Sequence, residues 1–371
     1  MCQTFPILAL RSSWAIFLVV GMIPSGAGAA EGVRNGPQPA DWPVFRGDSS
    51  GSGVAASGLP VQLDLLWQFK AEESSFLATA VIADRTVYVG DTDRHFYAID
   101  LATGKPRWSF VSPTGFTAAA AVGDGQVFVG DSDGVFYCWN AASGELVWKH
   151  ETAAEINSSG NWYQKSVLVG SQDGTLYRFG AADGQVIWRY TIEASGGIQC
   201  SPTLAGDRAF VCGCDGQLHI LDVAAGGSLA TLDIGHPTLA TAAISGDHVF
   251  FGTEGGQVLA IDWREPKIIW SYQHPQRRLS YRSSPAVRGG TVVIGGRNKQ
   301  VEALNVATGE RRWSYSTRGR VDSSPVIVGN RVFVGSSDGR LYSLDLATGR
   351  ELWQHDAGGG FSASPAVAGG R

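Results

Sequence analysis

The stretch Val332–Trp353, VFVGSSDGRLYSLDLATGRELW, constrains the chain more than any other because it recurs. Its apolar residues alternate, break at Asp338-Gly339, and alternate again from Leu341 to Leu346. A corner follows at Ala347-Thr348-Gly349, then a Trp four residues after the Gly. Period-two alternation marks a strand. Asp-Gly suits a tight two-residue hairpin in which both central residues take positive φ, which Gly adopts without steric cost. Copies align at Val87–Trp108, Val127–Trp148, Val167–Trp188, Phe210–Thr231, Val249–Trp270, Val292–Trp313 and Val332–Trp353. A spacing of about forty residues marks a repeat architecture. Two copies drift. Thr231 is read in the Trp place of the fourth, and Arg264-Glu265-Pro266 replaces the small-residue corner of the fifth.

Each unit also has an apolar strand ahead of the template, opening with Ser-Pro at Ser201, Ser284, Ser324 and Ser364. This makes four strands per repeat, A to D: A at Ser-Pro, B at Val-Phe-Val-Gly, C after Asp-Gly, and D carrying the Trp. Four-stranded units of about forty residues are propeller blades. A parallel α/β fold is excluded, since no interval between strands is long enough for a crossover helix. A Trp-Asp dipeptide, the mark of another propeller class, occurs nowhere.

Counting strands predicts an all-β, eight-bladed propeller. The eighth A strand is Ser362–Val367, and Leu63–Phe69 supplies an eighth D strand from the other end of the chain. The B and C strands of that last blade are missing, so it is expected to be incomplete in this chain, which reads as a fragment or truncated product.

The first thirty residues read as a secretory signal, with Arg11, an apolar run from Trp14 to Ile23, and Ala27-Gly28-Ala29 as a cleavage site. Residues 31–62 are a lead-in containing DWPVFRG at 41–47, and 63–371 the propeller. The expected location is periplasmic or extracellular, with no transmembrane segment after cleavage. A net charge of −5 does not point to nucleic-acid binding. Cys138, Cys200, Cys212 and Cys214 remain after the signal. Cys212 and Cys214 are expected on one face of a strand and Cys200 on the opposite face, as small buried residues rather than disulfide or zinc ligands.

The run VxVGxxDGxLYxLDxATGxxxW resembles the pyrroloquinoline-quinone-type β-propeller repeat. That repeat occurs in quinoprotein dehydrogenases and in the propeller lipoprotein of the outer-membrane β-barrel assembly machinery. The resemblance implies that Trp67, Trp108, Trp148, Trp188, Trp270, Trp313 and Trp353 dock on neighbouring blades. The DWPVFRG opening is similar to that of many secreted members. A quinoprotein dehydrogenase would use adjacent cysteines, and Cys212-Gly213-Cys214 is the nearest approach. Long active-site insertions are also missing. No cofactor is expected, and pyrroloquinoline quinone is disfavoured.

No catalytic constellation emerges. G-x-S-x-G occurs around Ser49, Ser132 and Ser337, but never between a strand and a helix, the context that exposes a nucleophile. Asp91 with Asp93, and Asp131 with Asp133, read as hairpin residues in turns too short to complete a calcium shell. Charge is more informative. The D–A loops and B–C turns share one mouth of the ring, where Glu72, Glu73, Glu151, Glu155 and Glu193 come from early blades. Later blades contribute Arg277, Arg278, Arg282, Arg318 and Arg320, with Tyr281 in a long loop. These residues, Glu193 aside, are the candidate partner-binding set. The expected function is a non-enzymatic scaffold binding an envelope protein or polysaccharide. A quinoprotein-like oxidoreductase and a sensor module of a larger assembly are the alternatives.

Overall fold

The computed structural model describes residues 15–20, 41–71, 74–192 and 196–371. Among these it contains no helix and seven four-stranded antiparallel sheets, each a meander of consecutive strands. They span residues 81–111, 121–151, 161–191, 203–233, 243–273, 286–316 and 326–356 and are called the first to seventh blades. Neighbouring A strands approach one another around the axis, so A is innermost and D forms the rim. Strand B is buried along nearly its whole length, whereas D alternates exposed and part-buried residues. That is the burial expected of strands sandwiched between blades inside and half-solvated outside.

The expectation of eight blades is not met: seven are found. Residues 362–367 form no strand, because no B strand lies beside them to complete a ladder. Between the seventh and first blades lie strand β1 (Ala15–Val20) and strand β2 (Asp64–Lys70), paired antiparallel. Residues 15–20 fall within the expected signal, whose other residues lie outside the described ones. The β1–β2 register skips a residue as every C–D pair does: Leu18 faces Trp67 and Val19 faces Leu65, as Ala98 faces Trp108 and Ile99 faces Pro106. Leu63, Val367 and Ala368 then join one core cluster with the first and seventh blades.

The repeat Trp does dock between blades. Trp67, Trp108, Trp148, Trp188, Trp270 and Trp313 each donate Nε1–H to the carbonyl at the C–D corner of the next blade, at 2.7–3.1 Å. Trp353 instead stacks on His355. The corner glycine is required by this contact. A Cβ on Gly184 would lie 2.6 Å from the Trp148 ring, and φ there is +68°.

The two drifting copies are one event. Register places Ala230, not Thr231, opposite Ile220 in the Trp position of the fourth blade. With no indole arriving, the facing corner of the fifth blade needs no glycine, and Pro266 stands where the others have one. Trp263 of that same corner fills the space from the other side, edge-on to Phe210 at 5.6 Å and in the cluster that includes Ala230.

The Asp-Gly turn also differs in detail. Only the Gly takes positive φ, +88° at Gly339, and the Ser336 carbonyl accepts from Gly339 N–H while Ser336 N–H donates to Arg340. This is a three-residue loop with a left-handed Gly. The preceding carboxylate closes it. Asp131 Oδ1 accepts the N–H groups of Asp133 and Val135, and Oδ2 accepts the Tyr137 and Ser112 hydroxyls. Asp91 does the same with Tyr97. The acidic pairs are therefore hairpin residues.

Cys138, Cys200 and Cys212 are buried, and burial pushes the Cys138 thiol up to about 12. Cys200 and Cys212 share one cluster between the fourth and fifth blades, not opposite faces. Cys214 lies past the strand, in the turn, because strand B ends at Cys212.

Candidate functional site: the loop-bearing mouth and the axial channel

Backbone bonds tie each B–C turn to the D–A loop ahead of it, as in Ser132 N–H to Gly115, Gln172 to Glu155, Arg297 to Ser280 and Ser337 to Arg320. Turns and D–A loops therefore form one mouth. Glu151 and Glu155 are exposed there between the second and third blades. Glu72, Glu73 and Glu193 lie outside the described residues. Arg277, Arg278 and Arg282 sit on the loop between the fifth and sixth blades, and Arg318 and Arg320 on the next one.

Several of these cations are already engaged. Arg282 grips Glu254 through Nε and Nη2 at 2.8 and 2.9 Å, a forked pair. Asp322 accepts both Arg297, at 2.9 Å, and Arg320, at 3.1 Å. Arg277, Arg278 and Arg318 remain exposed, with the Arg277 Nη1 donating to the Asn298 carbonyl at 3.1 Å.

The loop carrying Arg277 and Arg278 is residues 274–285, twelve long where most D–A loops have nine. Its anchor is Tyr281. This candidate contact residue is fully buried, its hydroxyl donating to Glu302 in the C strand of the sixth blade. Tyr272 of the fifth blade donates to the other Glu302 oxygen at 2.6 Å, and Arg311 lies 3.6 Å away. Burial, then the Glu302 charge, pushes the Tyr281 phenol well above its usual range. Its place is in the core, holding the loop.

Beside this anchor is an open cleft of about 270 Å³ lined by His274, Pro275, Gln276, Arg277, Gln300, Arg311, Ser314 and Ser316. Its lining is polar apart from Pro275 and carries two guanidinium groups, chemistry that suits a carboxylate. Sequence reading missed Arg311 and Glu302. One signal existed: Glu302 interrupts an apolar strand where four of the six other copies have Tyr97, Tyr137, Tyr177 and Tyr342 and the remaining two have His219 and Leu259.

The opposite end of the ring holds a larger surprise. The lead-in from Trp42 to Ala55 crosses the axis and touches every blade. Ile82, Val122, Leu204, Ile244, Val287 and Ile327 donate N–H groups to the carbonyls of Trp42, Pro43, Ser49, Ser50, Ser52 and Gly53. The third blade joins through Asn161 Nδ2, which donates to Ser49 at 2.8 Å. Inner strands present unpaired edges, and this plug pairs them. Nearer the mouth, a hydroxyl relay passes from blade to blade. The N–H groups of Ala119, Ser159, Ser201, Thr241, Ser284, Ser324 and Ser364 donate to Ser159, Ser201, Thr241, Ser284, Ser324, Ser364 and Thr79, at 2.9–3.1 Å. The Ser-Pro openings visible in the sequence are part of this relay. Of the G-x-S-x-G serines, Ser49 belongs to the plug and Ser132 and Ser337 to B–C turns.

Comparison with known proteins matches this architecture. A profile of the family described as outer membrane protein assembly factor BamB matches residues 62–272 and 172–371. BamB from Moraxella catarrhalis superposes with a TM-score of 0.67 at 21% identity, covering 76% of this chain and 87% of that one. Quinohemoprotein alcohol dehydrogenase from Comamonas testosteroni gives 0.73 at 17% identity, covering 90% and 76%. By sequence, quinohemoprotein alcohol dehydrogenase ADH IIB of Pseudomonas putida is 34% identical over 83 residues, 20% of this chain and only 12% of that enzyme. The structural likenesses are of fold, and the profile spans the propeller from residue 62 to 371, so the chain belongs to the family described as outer membrane protein assembly factor BamB.

Proposed function

We propose that the protein is an exported, non-enzymatic scaffold that holds a protein partner in the cell envelope with its mouth, and that the Arg277–Arg311 cleft takes an acidic side chain of that partner. The observation that carries this reading is the cleft itself: two guanidinium groups in a polar recess under the longest D–A loop, on a loop base locked by Tyr281 and Glu302. Loops on a rigid ring are where binding residues collect. The BamB relatives are named as assembly factors for outer membrane proteins, which supports a protein partner over a polysaccharide. No helix among the described residues is long and apolar enough to cross a membrane.

The quinoprotein alternative has less support. Cys212 faces the core while Cys214 lies in the turn, so the pair cannot present an adjacent disulfide to a quinone. The residues do not fit that group.

The test is capture from envelope extract with Arg277→Glu/Arg278→Glu beside the parent protein. A charge-assisted contact contributes about 1.5–3 kcal/mol, so capture should fall at least about tenfold with the melting temperature unchanged. Capture equal to the parent's, with the fold intact, would remove the mouth from consideration. Release by soluble polysaccharide in place of protein would replace the proposed partner class.

A further inference from the structure

The cleft at the mouth contains a buried histidine that none of the ion pairs around it uses. His274 follows strand D of the fifth blade, is 8% exposed and lines the cleft. The other six blades place Ser112, Thr152, Ile192, Ile234, Thr317 and Ala357 at this point, so the imidazole is peculiar to this loop. Its Nδ1 faces the backbone N–H groups of Gln276, at 3.2 Å, and Arg277, at 3.0 Å. A backbone N–H can only donate, so Nδ1 is the acceptor and carries no hydrogen. The ring hydrogen is therefore on Nε2.

Nε2 bonds to no group among the described residues, and it is not one of the polar atoms sealed from solvent. With the rest of the ring buried, its outlet is the cleft. The two guanidinium groups of the lining are each held at one nitrogen. Arg277 Nη1 donates to the Asn298 carbonyl at 3.1 Å, and Arg311 Nη1 is drawn to the Tyr272 hydroxyl, at 3.5 Å, and to Glu302, at 3.6 Å. A guanidinium has five N–H donors, so both keep others for the cleft. Gln300 and Ser316 bond to each other through Nε2 and Oε1 of the amide. The imidazole and the two guanidinium groups can therefore only donate to whatever enters.

We infer that His274 sets the selectivity of the cleft: its Nε2–H joins Arg277 and Arg311 on one carboxylate, so the site takes a Glu or Asp side chain and rejects the isosteric Gln or Asn. This rests on the proposal that the cleft receives an acidic side chain. A carboxylate offers only acceptors, whereas a primary amide would turn its NH2 group towards N–H donors. A site built of hydrogen-bonding groups discriminates in this way, because the wrong ligand leaves those groups unpaired. The same ring sets the geometry. By accepting from the Arg277 N–H, Nδ1 holds in place the residue whose guanidinium meets the anion. One nitrogen orders the turn and the other contacts the ligand.

Asparagine separates the two roles. In His274→Asn the amide oxygen accepts the Gln276 and Arg277 N–H groups as Asn does in turns, but nothing replaces Nε2–H. The probes are N-acetyl-glutamate N-methylamide and its glutamine counterpart, titrated into the full chain with the histidine ring nitrogens isotope-labelled for NMR. The expected His274 spectrum is that of the Nε2–H tautomer, with an Nε2 signal that moves saturably with the glutamate probe and not with the glutamine probe. His274→Asn, its melting temperature unchanged, should bind the glutamate probe at least about tenfold more weakly. A hydrogen on Nδ1, no binding of the glutamate probe, equal binding of the two probes, or parent-like binding by His274→Asn overturns the inference. Should His274→Asn not fold, the parent's Nε2 signal, assigned through its contacts with Pro275, decides: a saturable shift supports the inference, and an unmoved signal refutes it. Partner capture lost in Arg277→Glu/Arg278→Glu but kept in His274→Asn removes His274 and leaves the mouth standing. Capture indifferent to the arginine changes removes the mouth and this inference with it.

Discussion

The pairing of each repeat Trp with a glycine on the next blade can be tested as a thermodynamic cycle at Trp148 and Gly184. Trp148 is 9% exposed, packs within about 6 Å of the rings of Phe128, Phe136 and Phe179, and donates to the Ala181 carbonyl at 2.7 Å. Trp148→Ala should cost about 3–5 kcal/mol, the usual range for deleting a buried indole. Gly184→Ala carries two separate penalties. A left-handed backbone costs a non-glycine residue roughly 1–2 kcal/mol, and a Cβ at 2.6 Å from the ring adds about 1–3 by overpacking. In the double variant the ring is gone, so only the backbone penalty survives. The two changes should therefore be less than additive by about 1–3 kcal/mol. Urea unfolding followed by far-UV circular dichroism reads this without depending on the deleted fluorophore. Additivity within about 0.5 kcal/mol would show that the glycine serves its turn alone and that the indole contact does not select it. Ala230 facing Pro266 is the same experiment already present in the chain: with no indole, the corner tolerates a residue that cannot take positive φ at all.

Two further outcomes follow from the fold. Gly51 has φ +68°, and a Cβ there would lie 2.6 Å from the Ala242 carbonyl, whereas Gly58 has open space; Gly51→Ala should lower stability by roughly 2–4 kcal/mol and Gly58→Ala leave the melt within about 2 °C, and equal effects would mean the plug is not tightly seated. The turn tyrosines Tyr137, Tyr177 and Tyr342 are each pushed up to about 12, by burial first and then by Asp131, Asp173 and Asp338. Because the folded value lies above the ordinary 10, their contribution is complete below pH 10 and is lost as pH rises towards 12. Phenolate absorbance at 295 nm should consequently lag behind free tyrosine and appear together with unfolding; ionisation at pH 10 in a protein still folded would contradict the buried turn clamp.

The repeat and its four strands were legible because a half-buried strand writes its period into every second residue, and turn chemistry punctuates it. Legibility failed where a residue's role depended on a neighbour distant in sequence. Thr231 was read in the Trp place although register assigns Ala230, since an extra glycine at Gly227 makes the offset ambiguous until strand pairing resolves it. Tyr281 looked like a contact residue because it sits among arginines, but its hydroxyl finds Glu302 in the next blade. Arg282 and Arg320 looked available as partner contacts, yet Glu254 and Asp322 already hold them. Arg311 carries no local signal at the start of its strand, and it lines the cleft.

Local periodicity by itself determined that this chain builds antiparallel blades, because that follows from which face of a strand must leave water, whereas the docking of the repeat Trp was implied by the family resemblance. Closure was decided only in three dimensions. Seven blades are complete, the slot beside them is sealed by β2 and the residues around Val367, and a lead-in with no strand periodicity becomes the axial plug. The Asn161 side chain joins the third blade to the plug, and the other six blades are joined to it by backbone N–H groups. Every residue type except proline carries such a group, so no side-chain pattern could announce the contact.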